Sequence, residues 1–188
     1  MLNYAIIGCG RIFRCHAVSV ERHPDARLAA VADIKPEALE AARAEFPGVD
    51  TYTDYNEMLE RPDIDAVSIC LPHHLHAPAT IACARAKKHV LCEKPIALDR
   101  TEANEMIKAC RENGVKLGIV LQNRYNDATK KMLRAIEQKR FGKMITGSLL
   151  LAAYRPPSYY QDEWHGRWAT EGGGSLLTQA IHNVDLPA

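Results

Sequence analysis

Up to about residue 120 the chain alternates short apolar runs with longer amphipathic segments, and few architectures accept that rhythm. The runs are "YAIIG" (4–8), "LAAVAD" (28–33), a weak "DTYT" (50–53), "AVSICL" (66–71), "HVLCE" (89–93) and "KLGIVL" (116–121). Strands alternating with helix-length segments are the pattern of a parallel α/β sheet, and six of them fit one doubly wound domain. The intervening helices carry their own punctuation. Asp54 with Glu57, and Asp99 with Glu102, each match a capping box, in which two side chains satisfy free backbone donors at a helix start. Asn113-Gly114 ends the helix that Asp99 begins, and Pro36 and Pro78 suit early helical positions.

The rhythm changes after residue 121. "DATKKMLRAIEQKRFG" (127–142) reads as an amphipathic helix ended by Gly142, and "MITGSLLLAAY" (144–154) as one long strand. An aromatic, proline-containing loop follows, and then "EGGGSLLTQAIHNVDLPA", read as a glycine turn entering a helix. The expected division is a first domain over 1–121 and the N-terminal part of a second over 122–188. One strand and two helices do not close a domain. The chain therefore reads as a fragment of a longer protein; the alternative is a compact version whose long strand pairs with another chain.

At 188 residues there is length for a sizeable core. Lys plus Arg (24) nearly balances Asp plus Glu (23), spread without runs, which points away from nucleic-acid and membrane surfaces. The apolar stretches are far shorter than the roughly 20 residues of a membrane span, and "MLNYAIIGCGR" lacks a signal-peptide pattern. A soluble, cytoplasmic protein is expected. The six cysteines include no C-x-x-C and read as reduced structural thiols.

Between the first strand and the first helix lies "GCGRIF". Gly8 and Gly10 take the first two positions of G-x-G-x-x-G, and Phe13 takes the third. The first glycine permits the tight turn; the second leaves room for a pyrophosphate at the helix N-terminus. A bulky third residue implies altered packing of helix on strand. The second strand ends in Asp33, 23 residues beyond Gly10, near the roughly 20 expected for a ribose-binding acid. A carboxylate there favours NAD over NADP, although Lys35 keeps NADP open; the other reading is a solvated aspartate at a strand end.

Ligands of open α/β sheets sit at the carboxyl ends of strands, where strand order reverses. Strand four runs into "CLPHHLHAP", which sets Pro72, His73, His74 and His76 along the cofactor's edge. Three histidines at i, i+1 and i+3 without a clustered carboxylate or thiolate are poor zinc ligands, and no metal is expected. Strand five delivers Glu93, Lys94 and Pro95 to the same edge. Beside a nicotinamide, Lys94 could carry the hydroxyl proton while hydride moves. A Glu-Lys surface pair is the plainer alternative, against which Pro95, by fixing the strand's exit, argues that Lys94 is aimed.

"IIGCGRI", "VAD", "AKKHVLCEKPIAL", "LQNRYN" and "GGGSLLTQAIHNVDL" together resemble the Gfo/Idh/MocA oxidoreductases, in the right order and over essentially the whole chain. The resemblance implies a Rossmann domain followed by an α/β domain with a mostly antiparallel sheet that lines the substrate site and often forms the oligomer interface. It implies Lys94 and His182 as general acid/base groups. Many members carry Asp four residues before that histidine; here the position is Thr178, which supplies no negative charge, so Lys94 is the preferred base and His182 positions the hydroxyl. The cofactor is expected to meet Gly8, Gly10, Arg11, Ile12, Asp33, Leu71, Pro72, His73, His76, Glu93, Lys94 and Gln122. The substrate is expected to meet Lys94, Arg124, Tyr154, Arg155, Trp164, Arg167, Trp168, Thr178 and His182, the aromatic ones suited to pyranose C–H faces and the arginines to a carboxylate or phosphate. Core aromatics and exposed arginines are the alternative.

The expectation is an NAD-dependent oxidoreductase interconverting a secondary alcohol and a ketone on a sugar, nucleotide sugar or cyclitol, working as a homo-oligomer through its C-terminal domain. Its rivals are an NAD-dependent glycosidase that recycles its cofactor, a non-catalytic sugar sensor, and an inactive NAD-binding fragment.

Overall fold

The computed structural model of the chain describes residues 1–186; the last two residues of the expected second domain, 187 and 188, lie outside it. The residues fall into two compact units, Met1–Ile119 and Val120 onward. In the first, six strands form one parallel sheet: β1 (Leu2–Ile7), β2 (Ala26–Ala32), β3 (Asp50–Tyr52), β4 (Ala66–Ile69), β5 (His89–Cys92) and β6 (Leu117–Ile119). Their order is β3-β2-β1-β4-β5-β6, so the chain reverses direction across the sheet between β1 and β4. That reversal opens a crevice above the carboxyl ends of the two strands.

Side-chain alternation along the strands divides the core in two. Ala5 and Ile7 of β1 join Ala30, Ala32, Val67 and Ile69 on one face, against α3 (Tyr55–Leu59), α4 (His76–Arg85) and α5 (Arg100–Glu112), where Met58, Cys83 and Met106 are fully buried. Ile6 joins Leu28 and Val31 on the other, against α1 (Phe13–Glu21) and α2 (Pro36–Glu45). Both faces are covered, which is why the strands read as apolar runs rather than alternating ones. Phe13, the bulky third residue of the glycine motif, is buried in this second core with its ring edge-on to Phe46 at 5.7 Å.

The helix punctuation works largely as read. Asp99 accepts from Glu102 N at 2.9 Å, and Glu102 reaches back to Leu98 N at 3.1 Å, one residue earlier than a capping box requires. Asp54 caps α3 through Asn56 N rather than Glu57 N. Gly114, at φ +69°, takes the left-handed position after α5, while Asn113 stays right-handed.

In the second unit a 3₁₀ helix (Gln122–Tyr125) precedes α6 (Asp127–Glu137). That helix stops five residues short of Gly142: Lys139 adopts φ +54° and Arg140 N bonds back to Ala135 O at 2.9 Å, a Schellman closure. Residues 144–154, expected as a long strand, are irregular and mostly exposed. A strand exists only within a ladder, and among the described residues no segment pairs with this one, so the antiparallel sheet implied by the resemblance is not formed here. A 3₁₀ turn (Pro157–Tyr160), α7 (Trp168–Glu171), α8 (Gly174–Thr178) and α9 (Ile181–Asp185) complete the unit. The expected single terminal helix is thus broken at Gln179 and Ala180.

Candidate functional site

The first unit assembles its candidate site from the ends of β1, β2, β4 and β5. After β1 the chain turns at Gly8, whose φ of +96° and approach to β4 exclude other residues: an added Cβ would lie 2.5 Å from Cys70 O. Nothing lies within 4 Å of a Cβ placed on Gly10, so the turn's second glycine borders open space before α1 begins. Asp33 braces the same turn: its carboxylate accepts from Cys9 N at 2.7 Å and from Lys35 N at 2.9 Å. Burial, with the Asp33 charge added, pushes the Cys9 thiol up to about 12, so the cysteine between the glycines is protonated and inert at neutral pH. An open glycine cradle at a helix N-terminus beside a fixed carboxylate fits a dinucleotide, which when bound would accept or return a hydride. Arg11 and Ile12 are exposed at the helix entry.

The β4 end behaves differently from expectation. Leu71 and Pro72 are half-buried, and Leu71 packs over Gly8. His73 is buried, and His76 is fully so, with its ring 5.7 Å from that of His73. Both nitrogens of His76 face main-chain carbonyls, Pro95 O at 2.7 Å and Leu71 O at 2.9 Å. The ring therefore ties the β4 turn to the β5 turn, and the expected contact of His76 with a cofactor is a correction: i+3 spacing placed it at the start of α4, facing inward. Burial drives its pKa down, opposed by the two carbonyls and the Glu93 charge. Among the described residues no three His, Cys, Asp or Glu side chains are grouped to hold a metal ion.

At the β5 end Glu93 N continues the ladder to Ile69 O at 3.0 Å, and the Lys94-Pro95 peptide is cis. Glu93 Oε1 accepts from His16 Nε2 at 2.9 Å and Oε2 from Lys94 N at 3.2 Å. Burial would raise the Glu93 carboxyl, but the His16 hydrogen bond and the charges of His16 and Lys94 prevail and hold it below the usual range. Sequence reasoning missed His16, which arrives from α1, and Ser68 and Tyr4 behind it; six residues past Gly10, its spacing alone gave no signal.

The second unit holds the remaining expected residues. Gln122 opens its 3₁₀ helix. Arg124 forms a bidentate pair with Asp185, one bond at 2.6 Å, and this hydrogen bonding lowers the Asp185 carboxyl, with His182 adding to the effect. His182 thus has a carboxylate one turn after it rather than four residues before, and Asp185 is the residue the motif comparison overlooked. Thr178 is buried at the end of α8, so it and His182 do not share one helix. Arg155 bonds Gln179 and lies 5.5 Å over the Tyr159 ring. Trp164 stacks on His165 at 3.7 Å between centroids, while Tyr154 and Trp168 are 81% and 82% exposed. Arg167 is exposed.

A parallel sheet with this order, a glycine turn and an acid at the second strand's end defines a dinucleotide-binding Rossmann domain, and comparison with known proteins agrees. Residues 2–120 match the family model described as "Oxidoreductase family, NAD-binding Rossmann fold", and residues 129–187 match the GFO/IDH/MocA C-terminal domain. The chain belongs to the Gfo/Idh/MocA oxidoreductase family. It is 30% identical to the myo-inositol 2-dehydrogenase of Thermotoga maritima over 98% of its own length and 53% of that protein's. It is 32% identical to the 1,5-anhydro-D-fructose reductase of Ensifer adhaerens, over 98% and 55%. Among solved structures, the WlbA dehydrogenase of Bordetella pertussis in complex with NADH and UDP-GlcNAcA superposes with a TM-score of 0.88 at 36% identity, covering 98% of this chain and 55% of that one. The chain spans about half the length of these relatives.

Proposed function

We propose that this chain carries the cofactor half, and part of the substrate half, of an NAD-dependent oxidoreductase that interconverts a secondary alcohol and a ketone on a sugar-like substrate. The observation that carries the reading is the convergence of the glycine turn, Asp33 and the Glu93-Lys94-Pro95 turn on the carboxyl edge of one sheet, at the point of strand reversal. Asp33 receives the ribose hydroxyls, which selects NAD over NADP. Lys94 Nζ takes the proton from the substrate hydroxyl in the oxidative direction and returns it in the reductive one. His182, beside Asp185, orients that hydroxyl. Arg155, Arg167 and Trp168 meet the substrate, and a nucleotide-linked sugar acid, as in the WlbA complex, is the class to try first. The whole enzyme is a cytoplasmic homo-oligomer joined through its C-terminal domain.

The test is NADH binding by fluorescence, then NAD reduction across free sugars, cyclitols and nucleotide sugars. Lys94→Ala is expected to lower turnover about 10²- to 10⁴-fold and to leave NADH affinity nearly unchanged. Undiminished turnover removes Lys94 from the chemistry; sugar release without net NADH would replace the dehydrogenase by a glycosidase.

A further inference from the structure

The hydrogen bonds behind Lys94 form a chain across three elements that neither the glycine motif nor the proton transfer uses. His16 lies on α1, the helix that opens from the dinucleotide turn, and its side chain is only 9% exposed. One ring nitrogen, Nε2, faces Glu93 Oε1 at 2.9 Å; the other, Nδ1, faces Ser68 Oγ at 3.0 Å, and Ser68 in turn bonds Tyr4 Oη at 3.3 Å. An ionised Glu93 only accepts, so Nε2 donates to it. The Ser68 hydroxyl then serves either protonation state of the ring, donating to Nδ1 or accepting from it while donating to Tyr4. The imidazole is thus clamped from both sides, and its task is to fix a carboxylate whose own side chain is 12% exposed.

That carboxylate has two oxygens and both are engaged: Oε1 with His16, and Oε2 with the main-chain N–H of Lys94. We propose that His16 is a positioning residue for Lys94, acting through Glu93: it holds the carboxylate toward α1 and so keeps it from drawing the neighbouring ammonium into a close ion pair. Remove the imidazole, and the carboxylate, short of a donor, turns to the Lys94 ammonium, whose charge already acts on it. Lys94 would then be held in its charged form and away from a substrate hydroxyl. The arrangement also gives the cofactor-binding helix a mechanical link to the base, since His16 sits one turn into the helix whose N-terminus receives the pyrophosphate. The inference rests on the reading of Lys94 as the proton carrier. The groups that face Glu93 electrostatically are His16, Lys94, His76, Cys70 and Cys92, and the last three are present in every variant below.

The experiment labels the full chain with an amine-reactive reagent across a pH series and follows Lys94 by peptide mass spectrometry, with the exposed Lys130 as internal reference. His16→Ala is expected to slow labelling of Lys94 about threefold at fixed pH, corresponding to about half a unit in its titration. His16→Gln, which offers an amide N–H near the place of Nε2, restores the rate. Glu93→Gln removes the charge and speeds labelling above that of the parent. Opposite signs for His16→Ala and Glu93→Gln are the signature of positioning, because general damage to the fold would move both the same way; circular dichroism checks that each variant is folded. Equal rates in parent and His16→Ala, failure of His16→Gln to restore, or equal shifts in His16→Ala and Glu93→Gln would each overturn the proposal. A parent chain that fails to bind NADH would sink the proposed function instead, and leaves this labelling result standing on its own.

Discussion

The two units bury different things. Every fully buried large apolar side chain among the described residues, Ile6, Ile7, Met58, Ile69 and Met106 among them, belongs to the first, whereas the buried residues of the second are the polar Thr129, His165, Glu171 and Thr178. The first unit closes its backbone bonds in a six-stranded sheet and packs both faces. The second relies on local polar bonds: Glu171 accepts Gly166 N, Asp162 accepts His165 N at 2.9 Å, and Thr170 donates to Trp164 O at 2.7 Å. Its apolar side chains meanwhile stand in water, with Ile145 90% and Leu150 91% exposed. Hydrophobic burial scales with the area removed from water, so the first unit has the larger driving force and the second depends on bonds that each contribute about 1 kcal/mol.

The largest effect should come from the first core. Met106 on α5 is fully buried against the β4–β5 face, and Met106→Ala leaves a cavity that packed strands refill only in part. A loss of about 2–5 kcal/mol is expected in urea unfolding. A loss below about 1 kcal/mol would mean that the core is loosely packed, and the contrast between the units would vanish with it.

Acid should separate the units next. Glu93 in the first unit, and Asp162 and Asp185 in the second, have carboxyls held below their ordinary values, by His16, by His165 against the opposing pull of burial, and by Arg124 respectively. A depressed carboxyl contributes stability in full above its unfolded value, about 4 for these residues, and loses it as pH falls through the lower folded value. The first unit has its apolar core in reserve, and the second does not. Hydrogen exchange between pH 5 and pH 3 should therefore accelerate first at residues 162–186, while β1 and β4 amides stay protected; the reverse order would show that the polar bonds of the second unit are not what holds it.

The same contrast explains what could be read from the sequence. A sheet buried on both faces writes itself as apolar runs, and a tight positive-φ turn needs glycine, so the six strands, the turn at Gly8 and the place of Asp33 at the end of β2 were legible. The network behind Lys94 was not: His16, Ser68 and Tyr4 come from α1, β4 and β1, and only the folded sheet order makes them neighbours. His76 misled because a histidine in a loop-like "HHLH" looks available, whereas two carbonyls at 2.7 and 2.9 Å occupy it. In the second unit residues 144–154 read as a strand from their β-propensity but are irregular, because a strand forms only with partners that lie elsewhere in sequence, and no local signal supplies them. Asp185 was visible three residues after His182, and a helical-turn argument applied forward as well as backward would have found it.

The smallest effect should come from that irregular segment. Leu150 is 91% exposed, so Leu150→Ser removes almost no buried area, and the free energy of unfolding of the dilute chain should change by no more than about 0.5 kcal/mol. Its effect on association is a separate matter. Contiguous exposed apolar residues, Leu149, Leu150 and Leu151 with Ile145 nearby, join no strand ladder among the described residues and offer a template for a strand from another chain. If two chains pair through it, sedimentation velocity should show the variant more monomeric than the parent at equal concentration. A large loss of stability with unchanged sedimentation would place Leu150 inside a packed core, and the second unit would then be held by the same force as the first.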